Sequence, residues 1–187
     1  MMTMRTSRRG EVEITGLSAE DYRLYQLKDR YITDSYYEIS VKRELEAWKI
    51  QLYLSPLEKP LEKTYTGRLF EDHIEEPRAF AAVLNGEQVG WIELGYEKWN
   101  NRMRVWEFLV RERFRRKGIG AALMKYAVGV AKQRGARMLV LETQSCDVPA
   151  IRFYVEQGFD LIGFDLAAYS NDDINRKEIR LEFGLKL

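Results

Sequence analysis

Arg115-Arg116-Lys117-Gly118-Ile119-Gly120-Ala121 is the stretch on which the reading of this chain turns. Before it, Arg104 to Val110 reads as a strand. After it, Ile119, Ala122, Leu123, Tyr126, Ala127 and Val130 recur at helical spacing, and Gly135 stops the pattern. Glycines let the backbone turn tightly and aim successive N–H groups into one concavity. The helix that starts there adds its positive dipole end and its unpaired N–H groups, which suits a phosphate or pyrophosphate. Arg115, Arg116 and Lys117 add formal charge. A Gly-x-Gly turn also serves as a plain sharp connection from strand to helix, and at this level both readings stand. The dinucleotide fingerprint fails for want of a third glycine, and the P-loop fails because Lys117 precedes Gly118 with no Gly-Lys-Ser/Thr following. The cluster from Arg111 to Lys117 has Phe114 as its one aromatic and sits in a chain of formal net charge +1, so it does not read as a nucleic-acid patch.

Working outward, 187 residues suit one domain with a core of its own. Hydrophobic residues at 45% and charged residues at 32% are an ordinary globular balance. No apolar run approaches the roughly 20 residues that span a bilayer, so no membrane partner is expected. Met1 to Gly10 is basic with no apolar segment behind it and reads as a flexible tail, leaving 11–187 as a single domain. A single cysteine, Cys146, excludes an internal disulfide and agrees with a reducing, cytoplasmic setting. One Cys and one His do not make a zinc site of the usual kind, so no metal is expected.

Along the chain, Glu11 to Thr15 alternates as a first strand. Ser18 with Asp21 predicts a helix running to about Lys28. Ser40 predicts a second, with Val41, Leu45 and Trp48 on one face. Ile50 to Tyr65, interrupted by Pro56 and Pro60, reads as a strand plus an irregular connection. Ala79 to Leu84 and Gln88 to Leu94 flank Asn85-Gly86, a hairpin signal. Met138 to Thr143 is a short apolar run suited to a buried strand. Asp147 caps a helix ending before Gly158, and two long strands follow, Phe159 to Tyr169 and Lys177 to Leu187. The order predicts a mixed α/β sheet.

Several of these segments together resemble the GNAT family of N-acetyltransferases. Arg115-x-x-Gly118-x-Gly120-Ala121 is similar to its pyrophosphate loop. Leu141-Glu142-Thr143-Gln144, then Pro149-Ala150-Ile151-Arg152-Phe153-Tyr154, then Gly158-Phe159 resemble its second half. The likeness covers Arg104 to Leu187. Leu141 to Gln144 and the Ala168-Tyr169-Ser170-Asn171 turn look most like the streptothricin acetyltransferase branch. The resemblance implies an α/β fold with a mixed, mainly antiparallel central sheet, flanking helices and two parallel strands, Arg104–Val110 and Met138–Thr143, that splay apart. It implies acetyl-CoA as cosubstrate, held by Arg115, Arg116, Lys117, Gly118, Ile119, Gly120 and Ala121. Its pantetheine arm would lie against backbone at Leu109 and Val110, whose N–H groups could also serve as an oxyanion hole.

Amine acetylation needs a base for the amine and an acid for the leaving thiolate. Glu142 and Tyr154 sit where related ribosomal-protein alanine acetyltransferases carry a glutamate and a tyrosine in those roles. Each also has a structural reading: Glu142 as an ion-pair partner, Tyr154 as an aromatic packed on its helix. Where many relatives carry a glutamate, this chain has Trp106, with Glu107 one residue later. A one-residue offset flips the face of a strand, so Glu107 is a second base candidate that needs a bulge to re-aim it. The asparagine that relatives often place before the tyrosine helix is Asp147 here, which can cap the helix but cannot donate an amide hydrogen bond to pantetheine. Tyr22, Tyr25, Tyr31, Tyr36 and Tyr37 either line an acceptor pocket or pack in the core, and His73 reads as a surface residue. The acceptor implied is a small-molecule amine such as streptothricin. A protein or peptide amine and a non-catalytic acyl-CoA-binding regulator are the alternatives. Exposed C-terminal strands would let a homodimer form.

Overall fold

The computed structural model describes residues 10–187, so nine of the ten residues expected to form a tail, 1–9, lie outside the described range. In chain order the elements are β1 (Glu13–Leu17), α1 (Ala19–Tyr22), β2 (Gln26–Arg43), β3 (Trp48–Arg68), β4 (Arg78–Leu84), β5 (Glu87–Glu97) and β6 (Arg102–Val110). A 3-10 turn at Glu112–Phe114 leads to α2 (Ile119–Gln133) and β7 (Met138–Gln144). The chain closes with α3 (Val148–Glu156), β8 (Asp160–Asp165), α4 (Asp173–Arg176) and β9 (Arg180–Lys186). Seven strands form one mixed sheet in the order β1-β4-β5-β6-β7-β9-β8, mostly antiparallel with one parallel pair, while β2 and β3 pair in a separate two-stranded sheet. This is the α/β architecture the sequence pointed to. The chain divides into two compact units: residues 10–29, 65–139 and 186–187 form the first, and residues 30–64 and 140–185 the second.

The first unit is built on the β4–β5 hairpin. Asn85 and Gly86 adopt φ of 51° and 82°, the left-handed pair that a two-residue hairpin loop requires. Ala79 to Ala82 and Val89 to Leu94 are buried almost without a break, because each strand has neighbours on both sides and is covered on both faces. Helix α2 packs on β4, β5 and β6 through Ile119, Leu123, Met124, Ala127 and Val130. Burial of each large side chain among these contributes about 1.5–3 kcal/mol. The helix ends at Gly135, φ 76°, where Gly135 N–H donates to Lys132 O and Ala136 N–H donates to Ala131 O, both at 3.0 Å. This is a Schellman motif, which only a residue tolerant of positive φ completes cheaply.

Strand β6 carries the irregularity that matters most. Glu93 lies opposite Glu107 and Leu94 opposite Val105, so Trp106 is an extra residue, a β-bulge. The glycines nearby accommodate it. A Cβ on Gly95 would collide with the Trp106 ring, and one on Gly67 would collide with the Glu107 carboxyl.

In the second unit, Asp147 accepts a hydrogen bond from Ala150 N–H at 3.1 Å and starts α3. The helix ends as α2 does: Gly158, φ 88°, donates to Val155 O at 2.9 Å and Phe159 N–H donates to Tyr154 O at 3.0 Å. Ser145 is fully buried and joined to two segments, donating to Ile179 O and accepting from Tyr37 N–H, both at 2.8 Å.

Three expectations are corrected. The helix expected from Ser18 to about Lys28 is a single turn, closed by Leu24 at φ 57°, after which β2 begins. The helix expected from Ser40 is absent: residues 26–68 form two strands of 18 and 21 residues joined by a turn in which Glu44 N–H donates to Ala47 O at 2.8 Å. Tyr, Ile, Thr and Val are frequent through β2, and their preference for pleated backbone, backed by strand pairing, overrides one cap-like serine. Pro56 and Pro60 sit inside β3, which a two-stranded sheet permits because each strand has an unpaired edge. The last two strands are shorter than expected. Asp165 accepts from Ala167 N–H at 3.0 Å and turns the chain, and α4 occupies part of the interval.

Candidate active site

In the first unit the candidate residues lie along one continuous run. Strand β6 brings Glu107, Leu109 and Val110, and the chain then passes through Arg111 to Lys117 into the first turn of α2. Arg116 and Gly118 adopt φ of 58° and 80°, and this pair of left-handed residues turns the backbone so that α2 opens toward an exposed surface. Ala122 N–H makes the first helical bond, to Gly118 O at 3.0 Å. The N–H groups of Ile119, Gly120 and Ala121 therefore precede the intrahelical ladder, which makes them donors for an anion. A Cβ on Gly118 would meet nothing within 4 Å, so the space beside this turn is open.

The basic residues divide by role. Arg115 donates from Nε to Val110 O at 3.0 Å and pairs through Nη2 with Asp29 at 2.5 Å, which ties the loop to β2. Asp29 was not foreseen, since nothing in local sequence links positions 86 residues apart. Arg111 pairs with Glu87 at 2.8 Å, and Arg113 pairs with the same carboxylate. Arg116 and Lys117 are exposed, with the Lys117 ammonium 5.4 Å from the centre of the Phe114 ring. Those two cations lie beside the start of α2 and face solvent with it.

Glu107 is half-buried at the bulge. The Tyr65 hydroxyl donates to its Oε2 in a very short contact, and burial pushes its carboxyl up to about 7, against the Tyr65 and Arg68 hydrogen bonds that hold it down. Glu71 pushes it up further. Across the ladder, Glu93 is fully buried and also raised to about 7, chiefly by burial, with the Phe70 amide opposing and Glu107 and Glu71 adding to it. A carboxyl that titrates near neutrality is suited to accept a proton in one state and return it in another.

The condition attached to Glu107 is therefore met: a bulge sits one residue before it. Periodicity alone does not reveal the bulge, although Gly67 and Gly95, placed where a side chain would collide, are its traces in the sequence.

In the second unit, Glu142 is exposed on β7. The Tyr169 hydroxyl donates to its Oε1 at 3.4 Å, and Arg180 lies 3.5 Å from its Oε2. Arg180 also approaches Asp165 at 3.7 Å and Glu182 at 3.8 Å. Tyr154 is buried on α3 among the rings of Phe153, Phe159 and Phe183 at 5.7, 6.2 and 6.3 Å. Burial and the Asp147 charge raise its hydroxyl above the ordinary tyrosine range, so it stays protonated at neutral pH. Cys146 is buried near the Tyr31 hydroxyl, and burial pushes its thiol up, away from a reactive thiolate. A small, shallow cleft is lined by Tyr36, Glu38, Ile39, Ser145, Ile174, Lys177 and Ile179. Glu38 accepts there from the Tyr36 hydroxyl at 3.1 Å and the Ser55 hydroxyl at 2.9 Å. Among the described residues no cluster of His, Cys, Asp and Glu is arranged to hold a metal ion, and no helix is long and apolar enough to cross a membrane.

The acetyltransferase (GNAT) family model matches residues 34–159. A streptothricin acetyltransferase of Streptomyces lavendulae is 36% identical over 122 residues, covering 61% of this chain and 65% of that protein. The matched stretch thus spans a little less than two thirds of that relative. Among solved structures, nourseothricin acetyltransferase superposes with a TM-score of 0.73 at 26% identity, covering 94% of this chain and 98% of the other. A Bacillus anthracis str. Ames structure in complex with acetyl coenzyme A superposes with a TM-score of 0.76 at 22% identity, covering 96% and 99%, a likeness of fold. The family match takes in β6, the basic loop, α2 and α3, the segments that carry the candidate site, and this chain belongs to the acetyltransferase (GNAT) family.

Proposed function

We propose that this protein is an acetyl-CoA-dependent N-acetyltransferase acting on a primary amine of a small cationic molecule of the streptothricin kind. The observation that carries the reading is the run along β6. A carboxyl held near neutral pKa at the bulge is followed by the strand end at Leu109 and Val110, then by the glycine turn and exposed cations at the start of α2. Base, thioester contact and diphosphate cradle follow one another on one segment of chain.

Acetyl-CoA supplies the acetyl group as an activated thioester. Arg116, Lys117, Gly118, Ile119, Gly120 and Ala121 would hold its diphosphate, and Arg115 shapes the loop through Asp29 and Val110. Asp147 starts the helix that carries Tyr154. Glu107 takes the proton from the attacking nitrogen, and N–H groups at Leu109 and Val110 face the carbonyl oxygen as charge builds on it. Tyr154, kept protonated by burial, gives its proton to the departing sulfur. Glu142 offers an exposed carboxylate to which the cationic acceptor could be drawn. Should Glu142 be the base instead, its variants will damage turnover more than those of Glu107.

The likeness to streptothricin and nourseothricin acetyltransferases supports a small-molecule acceptor over a peptide. Retention of a near-neutral carboxyl and a protonated tyrosine supports catalysis over a purely regulatory acyl-CoA sensor. We further propose a single cytoplasmic catalytic domain, 11–187, consistent with the lone buried thiol. It could pair as a homodimer through the edge strand β8, where Leu161 and Ile162 are exposed. Thiol release from acetyl-CoA, measured against streptothricin, aminoglycosides, polyamines and peptides, tests the reading. Turnover with peptides alone would overturn the acceptor, and no turnover with any amine despite acetyl-CoA binding would favour the sensor.

A further inference from the structure

Glu93 is absent from the mechanism above, yet its side chain is the most completely enclosed carboxyl beside the proposed base. It is 0% exposed on β5, directly across the ladder from Glu107 at the bulge, so the two side chains share a face of the sheet. Its two oxygens have different surroundings. Oε1 accepts the Phe70 N–H at 2.7 Å, and Phe70 sits at φ 57°, a conformation that costs a bulky residue and persists only when something holds it. Oε2 is buried with no hydrogen-bond partner among the described residues. A buried oxygen without a donor is costly as an anion and is relieved if it carries a proton.

The groups facing the pair come from every element around it. Tyr65 and the Arg68 backbone reach Glu107 from β3, and Glu71 acts on both carboxyls from the segment after β3. Glu71 itself lies 3.5 Å from His73, whose ring meets Trp106 edge-on at 4.9 Å. Among the described residues no charged arginine or lysine side chain is an influence on either carboxyl.

We propose that Glu93 is a positioning residue for Glu107: the two carboxyls retain one proton between them at neutral pH, carried on Glu93 Oε2 when Glu107 is ionised. Glu93 holds the strained Phe70 corner through Oε1, which fixes the end of the strand that carries Tyr65 and Gly67 against Glu107. Its retained proton lets Glu107 ionise in the first of the pair's two steps, with no second anion beside it. Two interacting carboxyls titrate in two steps that belong to the pair. This inference rests on the reading of Glu107 as base, so its test includes a measurement that needs no turnover.

In wild type, the carboxyl carbons of Glu93 and Glu107, followed by ¹³C NMR against pH, should each show both inflections. Single, independent inflections would overturn the pairing whether or not Glu107 is the base. In kinetics, the acid limb of kcat/KM should be broad for wild type. Glu93→Gln, which keeps the acceptor for Phe70 N–H and removes the second ionisable group, should give a narrower, one-proton limb that has lost the second inflection while the first stays in place. A limb that superposes on wild type would overturn the proposal. A loss of activity in E93Q with the NMR coupling intact in wild type would leave the pair standing.

Discussion

Glu107 and Glu142, one in each unit, are the same residue in opposite surroundings. Glu107 is half-buried, bonded by a tyrosine hydroxyl and beside a second carboxyl, with no arginine or lysine side chain among the described residues acting on it. Glu142 is exposed and has Arg180 at 3.5 Å. Burial without a counter-cation lifts a carboxyl toward neutrality and makes it a proton acceptor that can reset. The Arg180 guanidinium beside the exposed Glu142 carboxylate makes a surface ion pair, a setting in which a carboxylate can draw in a cationic group. The resemblance to ribosomal-protein alanine acetyltransferases pointed to Glu142 as the base, whereas the surroundings favour Glu107.

The comparison can be broken most directly by exchange of each carboxylate for an amide. Glu107→Gln should lower kcat by about 10²–10⁴-fold at pH 8, the usual range for a general base, while Glu142→Gln should mainly raise KM, by about tenfold or less. Equal losses, or a larger loss in kcat at Glu142, would reverse the assignment. Tyr154→Phe should lower kcat by on the order of 10²-fold and leave the acetyl-CoA-induced rise in Tm in place. A Tyr154→Phe enzyme with unaltered kcat would make that residue part of the aromatic core alone.

A smaller effect concerns the loop. Gly118→Val places a β-branched residue at φ 80°, which costs about 1–3 kcal/mol and fills the open side of the turn. The Tm shift given by acetyl-CoA in wild type should disappear in this variant, as measured by thermal melts with and without ligand. A shift of undiminished size would move the diphosphate site elsewhere.

The smallest effect is one of pH. Activity should climb as Glu107 loses its proton around pH 7, and Glu142→Gln should leave that limb where it is. Stability should run the other way. Glu93 and Glu107 are raised from the ordinary carboxylate value near 4.3 to about 7 on folding. The folded state then binds more protons than the unfolded one between those limits, so stability falls as pH rises through that window. Glu93→Gln should flatten the decline by on the order of 1 kcal/mol or more between pH 5 and 8. Denaturant titrations at the two pH values would show it, and parallel curves for wild type and variant would refute it.

Much of this was legible in the amino-acid order because it is local. Asn85-Gly86, Gly135, Gly158 and Asp147 each commit a few residues to one geometry, and the helical repeat from Ile119 to Val130 needs no partner to be recognised. The ribbon of β2 and β3 was misread because its state is set by pairing between positions up to about forty residues apart, whereas Ser18 and Ser40 offer local caps that end after one turn or never start. The bulge at Trp106 was visible only as a condition. Its causes lie on neighbouring strands, at Gly67 and Gly95, where the absence of a side chain is meaningful only once the register is known. Asp29 and Glu93 stayed unread for the same reason.

The turn that joins β2 to β3 has a practical consequence. Leu45 is 97% exposed there, and Lys42, Arg43 and Lys49 flank it on a ribbon with no third strand. Two-stranded ribbons are marginal in isolation, and exposed tips are where chains are nicked and where insertions are tolerated. Within residues 10–187, brief trypsin treatment should therefore cut at this tip before elsewhere. For the same reason, residues 44–47 are the site at which an affinity tag or fluorophore can be spliced into the chain interior with least cost to the fold.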